Sequence, residues 1–186
     1  MKWSWIVVAL LVALPVRAQS LEERMKSAAG AYERKDFATA IALWRPLAQA
    51  GNAEAETLLG AMYWSGEGVA RDHKEAARLY LSAAAKGYAR AQNDIGFMYG
   101  FGEGVPPRND VQAYKWLSLA VRNYTDKNRE RREQAARDLA TLRARMSPAQ
   151  IADAERQIRD VKPVQEDHIL NASLACHATI GLVRRT

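Results

Sequence analysis

Apolar residues recur at helical intervals through the middle of the chain, and the same arrangement is written twice. Ala55, Leu59, Met62 and Tyr63 make one stripe, Gly66-Glu67-Gly68 interrupts it, and Ala76, Leu79, Tyr80, Ala83 and Ala84 make a second. From 89 onward Ala91, Ile95, Met98 and Tyr99 repeat the first stripe, Gly102-Glu103-Gly104 repeats the break, and Ala113, Trp116, Leu117 and Ala120 follow. The pattern predicts helix, glycine turn, helix, in duplicate. The copies match at an offset of 36, and at 37 after an insertion at Pro106-Pro107. A period of this length is the mark of stacked helix pairs, so the expected fold is an all-α solenoid.

Local signals refine that picture. Gly66 and Gly102, backed by Gly68 and Gly104, are expected to end the first helices in the left-handed conformation. Gly60 and Gly96 stand inside those helices, where glycine costs about 1 kcal/mol against alanine. A cost repeated at one register implies close approach, expected here to be backbone to backbone. Asp72 with Glu75, and Asn109 with Gln112, have capping-box spacing and open the second helices. Residues 19–51 read as a degenerate first repeat, because Asp36, Ala40, Trp44, Ala48 and Gly51 precede Asp72, Ala76, Tyr80, Ala84 and Gly87 by the same 36. Its helices are expected near 20–33 and 37–50, the second kinked by Pro46. After the full repeats at 52–87 and 88–123, two capping helices are expected in 124–162. One is seamed by Ala135, Leu139, Leu142 and Met146. The other opens at Ser147-Pro148-Ala149-Gln150 and buries Ile151, Ala154, Ile158 and Val161. The segment 163–186 shows no clean period.

The repeated residues resemble the Sel-one-like repeat (SLR) family, whose pattern is roughly A-x-A-x-x-x-L-G-x-M-Y-x-x-G-x-G-V, then D, then an alanine-rich helix ending in A-A-x-x-G. The resemblance covers two complete units and half of another. Val121-Arg122-Asn123 departs from the usual ending, as a last repeat does. The resemblance implies a right-handed α-solenoid of helix-turn-helix repeats with a C-terminal helical cap, related to tetratricopeptide repeats. It also implies a role in holding other proteins, often in the bacterial envelope, and no catalysis. Cysteine-rich members linked to β-lactams pair two cysteines within each repeat. No repeat here contains one.

The N-terminus changes the expected location. Lys2, the apolar run Trp5–Leu14 and Val16-Arg17-Ala18 form a signal peptide over 1–18, cleaved before Gln19. The apolar run is about half the length a membrane span needs. The expected protein is therefore periplasmic or secreted, with no stable membrane span after cleavage. Cleavage lowers the formal charge from +6 to +4. The segment from Arg122 to Arg145, with eight basic and four acidic residues, accounts for that excess. It reads as a solvated helix face with i, i+4 ion pairs, or as a dock for an acidic partner. Export makes nucleic acid an unsuitable partner. Cys176 stands alone, so it forms no internal disulfide and is left as a buried thiol or an intermolecular link.

Motif chemistry is sparse. S-x-x-K, G-x-S-x-G and H-E-x-x-H do not occur. His73 follows a helix cap and is expected to be exposed, and His168, Cys176 and His177 are too loosely grouped to be taken as a metal site. No cofactor is expected. The informative positions are those where the two copies disagree. On the first helix Thr57, Ala61 and Trp64 become Asn93, Phe97 and Gly100, about 200° around from the Ala55/Leu59/Met62 stripe. With Phe101, this set (Thr57, Ala61, Trp64, Asn93 and Phe97) is the expected partner-binding face on the concave wall. The alternative is that Trp64 and Phe97 pack against neighbouring helices or the C-terminal segment. The expected function is a non-catalytic adaptor or regulator binding an envelope protein, with an envelope enzyme acting on peptidoglycan as the other class.

Overall fold

A computed structural model describes residues 20–105 and 107–161. The predicted signal peptide, Pro106, and the segment carrying His168, Cys176 and His177 lie outside the described residues. Among the described residues every element is helical: α1 (Leu21–Glu33), α2 (Phe37–Gln49), α3 (Ala53–Ser65), α4 (His73–Ala85), α5 (Ala89–Phe101), α6 (Asp110–Asn123), α7 (Arg129–Arg143) and α8 (Pro148–Arg159). A single 3-10 turn, Asp126–Asn128, precedes α7, and Met146 of the first capping helix's expected seam lies beyond its last residue, Arg143. Each helix from α1 to α6 packs on its neighbours in the chain, and α6 receives both α7 and α8. The result is a solenoid of three helix pairs closed by two further helices.

Packing follows from the repeated alanines. Ala76, Ala83, Ala91, Ala113 and Ala120 are fully or almost fully buried and let helix axes approach closely. Larger side chains fill the remaining space. Trp44 and Tyr80, the same register in successive pairs, are both buried. α2 runs on through Pro46 to Gln49. Gly60 and Gly96 do mark close approaches, but not between two backbones alone. A Cβ at Gly60 would lie 2.9 Å from the Tyr80 ring, and one at Gly96 would lie 2.9 Å from Leu117 Cγ and 3.2 Å from its backbone nitrogen. The helix gives up a side chain so that a large one opposite can seat.

The glycine turns serve two ends. Gly66 (φ 78°) and Gly102 (φ 74°) adopt the left-handed conformation, and their amides donate to the carbonyls of Met62 and Met98. Gly68 and Gly104 face the preceding helix pair: a Cβ on Gly68 would strike Phe37, and one on Gly104 would strike the carbonyl of His73. Phe37 and His73 are equivalent first residues of α2 and α4. The turn of each repeat therefore rests on the start of the previous repeat's second helix.

Only half of each expected capping box forms at α4 and α6. Asp72 Oδ1 accepts from the amides of Lys74 and Glu75, and Asn109 Oδ1 accepts from that of Gln112. The reciprocal bond is absent because the cap amides already donate to the Tyr63 and Tyr99 carbonyls at 2.9 and 2.8 Å. Glu75 turns instead to Arg78, and Gln112 to Gln157 of α8. Ser147 with Gln150 completes its box at α8, as does Ser20 with Glu23 at α1.

The end helices dock on α6 less deeply than expected: on α8 only Ala154 is fully buried, and Val161, expected in its stripe, lies beyond the helix and is half-buried. Ala135, Leu142, Met146 and Ala154 are buried, with Leu139, Ile151 and Ile158 half-buried beside them. Arg145 clamps Asp110 at the start of α6, at 2.9 and 3.2 Å. Arg108, first, and Arg145 hold the Asp110 carboxyl below the usual carboxylate range.

Each complete helix pair is also closed by a polar staple that the sequence reading missed. Glu56 on α3 is buried, and both its oxygens accept from Lys86 Nζ at 2.7 Å, with Ser82 Oγ adding a bond at 2.9 Å. Lys86 Nζ also donates to the Gly51 carbonyl. In the next pair the equivalents are neutral: Asn123 Nδ2 donates to Gln92 Oε1 at 2.9 Å and to the Gly87 carbonyl. The buried Gln92 donates in turn to the Ala84 carbonyl. One geometry is thus built from an ion pair in one copy and from two amides in the other.

Candidate functional site

The end of α3, the middle of α4 and the last two turns of α5 enclose a cleft of about 290 Å³. Trp64, Tyr80, Asp94, Phe97, Met98 and Phe101 line it. Its making can be traced to differences between copies. At offset 36, Leu58, Ala61 and Ser65 of α3 become Asp94, Phe97 and Phe101 of α5. Two aromatic rings and a carboxylate therefore appear on a helix whose core register is unchanged. Phe97 and Phe101, one helical turn apart, stack with ring centroids 6.3 Å apart and planes 14° from parallel. Phe101 is 70% exposed, a large aromatic left in water at the rim.

Of the six expected binding residues, three meet here: Trp64, Phe97 and Phe101. The other three do not line the cleft. Thr57 is fully buried and its hydroxyl donates to the Ala53 carbonyl at 2.7 Å, so it offers a partner nothing. The error has a physical cause: α3 lies between α2 and α4, and a helix with neighbours on two sides is buried on more than one stripe. Ala61 and Asn93 are half-buried outside the cleft. Trp64 and Phe97 also pack on neighbouring helices, as the alternative reading of these positions had it. Trp64 packs on the α4–α5 core and stacks on His73, with ring centroids 4.2 Å apart and planes 19° from parallel. Phe97 packs on the α6–α8 core. His73 is consequently half-buried, not free, with Nδ1 4.0 Å from the Glu103 carboxylate.

Asp94 is the residue that sequence reasoning overlooked, although a carboxylate at a leucine register was a visible signal. Its carboxyl is pushed up to about 6 by burial, against the opposing pull of Arg90. Arg90 Nε stands 3.9 Å from it, too far for a hydrogen bond. Tyr80 forms part of the same wall, and burial raises its phenol well above the ordinary value.

A larger cleft of about 450 Å³ lies at the other end of these helices, with Lys86, Tyr88, Arg90, Tyr124 and Arg131 on its walls. Its cations are partly spent: Lys86 is committed to Glu56, and Arg90 faces Asp94. Burial pushes the Tyr124 phenol up to about 12. Among the described residues no group of three His, Cys, Asp or Glu side chains is placed to hold a metal, and no helix is long and apolar enough to cross a membrane.

The helix–glycine turn–helix unit, seen twice with the same left-handed glycine cap and the same nesting turns, is matched by a known family. Residues 53–88 and 89–123 each match the Sel1 repeat. The chain carries two Sel1 repeats. Two solved structures place this Sel1-repeat chain among similar folds. A Sel1 repeat protein from Oxalobacter formigenes is 29% identical over 58% of this chain and 44% of its own, with a TM-score of 0.52. A protective antigen present in uropathogenic Escherichia coli strains, displaying an SLR fold, is 21% identical over 89% of this chain and 33% of its own, with a TM-score of 0.66. The chain spans less than half the length of either. No curated protein matches it significantly. Sel1-like repeat proteins generally mediate protein–protein interaction and are typically non-catalytic.

Proposed function

We propose that this protein is an exported, non-catalytic adaptor or regulator of the bacterial cell envelope, which holds a partner polypeptide in the cleft between Trp64, Phe97 and Phe101 on the concave side of the solenoid. The observation that carries the reading is Phe101. A phenyl ring that is 70% exposed, stacked on Phe97 and continuous with Trp64, loses apolar hydration on contact with a partner. Rigid aromatics on packed helices are already ordered, so little side-chain entropy is lost on binding. The Sel1 repeat supports a protein as the ligand, and the signal-peptide pattern at 1–18 supports the envelope as the place.

The test is affinity capture from the cell envelope with the wild type and with Phe101→Ala. Because Phe101 has little packing to lose, the variant is expected to melt with the wild type and to lose the partner. A partner retained at full strength by Phe101→Ala would remove the cleft from the reading.

A further inference from the structure

The cleft has two chemically distinct sides, and they specify what kind of segment fits. This inference rests on the reading above that the cleft binds a polypeptide. On one side the rings of Trp64, Tyr80, Phe97 and Phe101 surround the Asp94 carboxylate. Aromatic faces carry partial negative charge and attract cations, and the carboxylate adds a full charge among them. Among the described residues that charge is met only loosely: Arg90 forms a long ion pair at 3.9 Å, Asn93 offers its side-chain amide, and Arg131 acts from further off. On the other side of the Phe97–Phe101 stack lies a smaller pocket of about 150 Å³, walled by Gly96, Gly100, Ala113, Leu117 and Leu142. Gly100 takes the place of Trp64 in the second copy, and the missing indole leaves this space open. The two charged groups at its rim are occupied: Asp138 accepts from Gln134, and Arg145 is held by Asp110. Beside these two groups and Thr141, the lining is apolar.

We infer that the cleft recognises a partner segment carrying a lysine or arginine and, close by, an aliphatic side chain, the cation against Asp94 and the aliphatic group in the Gly100 pocket, straddling the Phe97–Phe101 stack. The protein's net charge, +6 for the full chain and +4 after the expected cleavage, gives a basic segment no long-range attraction, so the recognition is local. The groups around Asp94 are Arg90 and Asn93 on its own helix and Arg131 on α7, with the neutral phenols of Tyr80, Tyr88 and Tyr124 beside them. A loosely paired carboxylate whose proton leaves near 6 is stabilised as the anion when a second cation arrives.

The experiment selects a random peptide-display library on the purified protein and resynthesises the most enriched peptide, alongside a version with citrulline or norleucine in place of its arginine or lysine. The expected peptides combine a basic with an aliphatic residue, and the uncharged version binds about tenfold more weakly. Asp94→Asn is expected to bind both versions alike. Lowering the pH from about 7.5 to about 5 is expected to weaken the basic peptide on the wild type and leave Asp94→Asn unaffected. Enriched peptides without basic residues, or full discrimination retained by Asp94→Asn, would overturn the inference. Phe101→Ala separates the two readings. If it abolishes binding of peptides that lack a basic residue, the cleft stands and only the charge rule falls. If it binds every enriched peptide as the wild type does, or if the wild type enriches none, both fall.

Discussion

Replacing Gly104 by alanine isolates the contact that joins one repeat to the next, provided it is measured against Gly66→Ala. The two glycines share a backbone: φ is 69° at Gly104 and 78° at Gly66. A side chain in that conformation costs about 1 kcal/mol at either place. Both substitutions also remove the same glycine freedom from the unfolded chain, so that contribution cancels in the difference. The surroundings differ. At Gly66 the nearest atom to a new Cβ is the Arg71 Cβ at 3.2 Å, which a small shift relieves. At Gly104 the methyl would enter the His73 carbonyl, lie 2.6 Å from its carbon and 2.7 Å from Met98 Cε. A peptide group at the start of α4 moves less readily than a surface side chain. Overpacking of this kind costs about 1–3 kcal/mol. Gly66→Ala is therefore expected to lose about 1 kcal/mol, and Gly104→Ala about 2–4 kcal/mol. Urea unfolding followed by far-ultraviolet circular dichroism reads both. Because the contact couples neighbouring repeats, Gly104→Ala is also expected to flatten the transition, whereas Gly66→Ala shifts it at constant slope. Equal losses in the two variants would refute the argument that the turn's second glycine is there for the neighbouring repeat.

The polar staples give a second comparison: Lys86→Met, which leaves the buried Glu56 without its cation, is expected to cost about 3 kcal/mol, while Asn123→Ala costs about 1 kcal/mol, both by urea melts. For Asp94, a folded pKa of about 6 against an ordinary 3.8 means the native state binds the proton more tightly than the unfolded chain does. Stability is then expected to fall as the pH rises from about 4 to about 6, by about 1–2 kcal/mol, and Asp94→Asn is expected to abolish that fall in melts across this range. Ser147→Ala removes the hydroxyl that caps α8 and is expected to cost about 1 kcal/mol, again by chemical denaturation. Finally, N-terminal sequencing of periplasmic protein is expected to begin at Gln19, and intact Met1 in the membrane fraction would refute cleavage there.

The periodic part of the fold was legible because the same constraints act at the same register in each copy. Ala76 and Ala113, or Met62 and Met98, are buried by equivalent neighbours, and agreement between copies reports that burial. The converse inference failed at Thr57. A position can differ between copies and still be interior, because a threonine that bonds its own helix fits where an asparagine elsewhere stays half in solvent. Trp64 illustrates the same limit: its register pointed away from the core, but a bicyclic side chain is long enough to reach α4 and lie on His73. The staple carried a signal that was present and unread. Glu56 with Lys86 and Gln92 with Asn123 stand at matching offsets, and both members lose their charge together. Asp94 was passed over for a different reason. A lone carboxylate on a helix is ordinarily a solvated one, and only the rings gathered around it from α3 and α4 give it another meaning.

The unlike chemistry of the two staples bears on how nearly identical repeats avoid being confused with each other. A chain that writes one helix pair twice can in principle marry the first helix of one copy to the second helix of the other, within a molecule or between two. Such an exchange would preserve most of the alanine packing, since those residues are shared. It would also set Glu56 opposite Asn123 and leave Lys86 facing Gln92, stranding an ionised carboxylate in an interior with no cation to meet it. The staples thus work as keys cut differently for each lock: they label otherwise interchangeable helices, and they make the correctly paired molecule the arrangement in which the buried Glu56 carboxylate finds its cation.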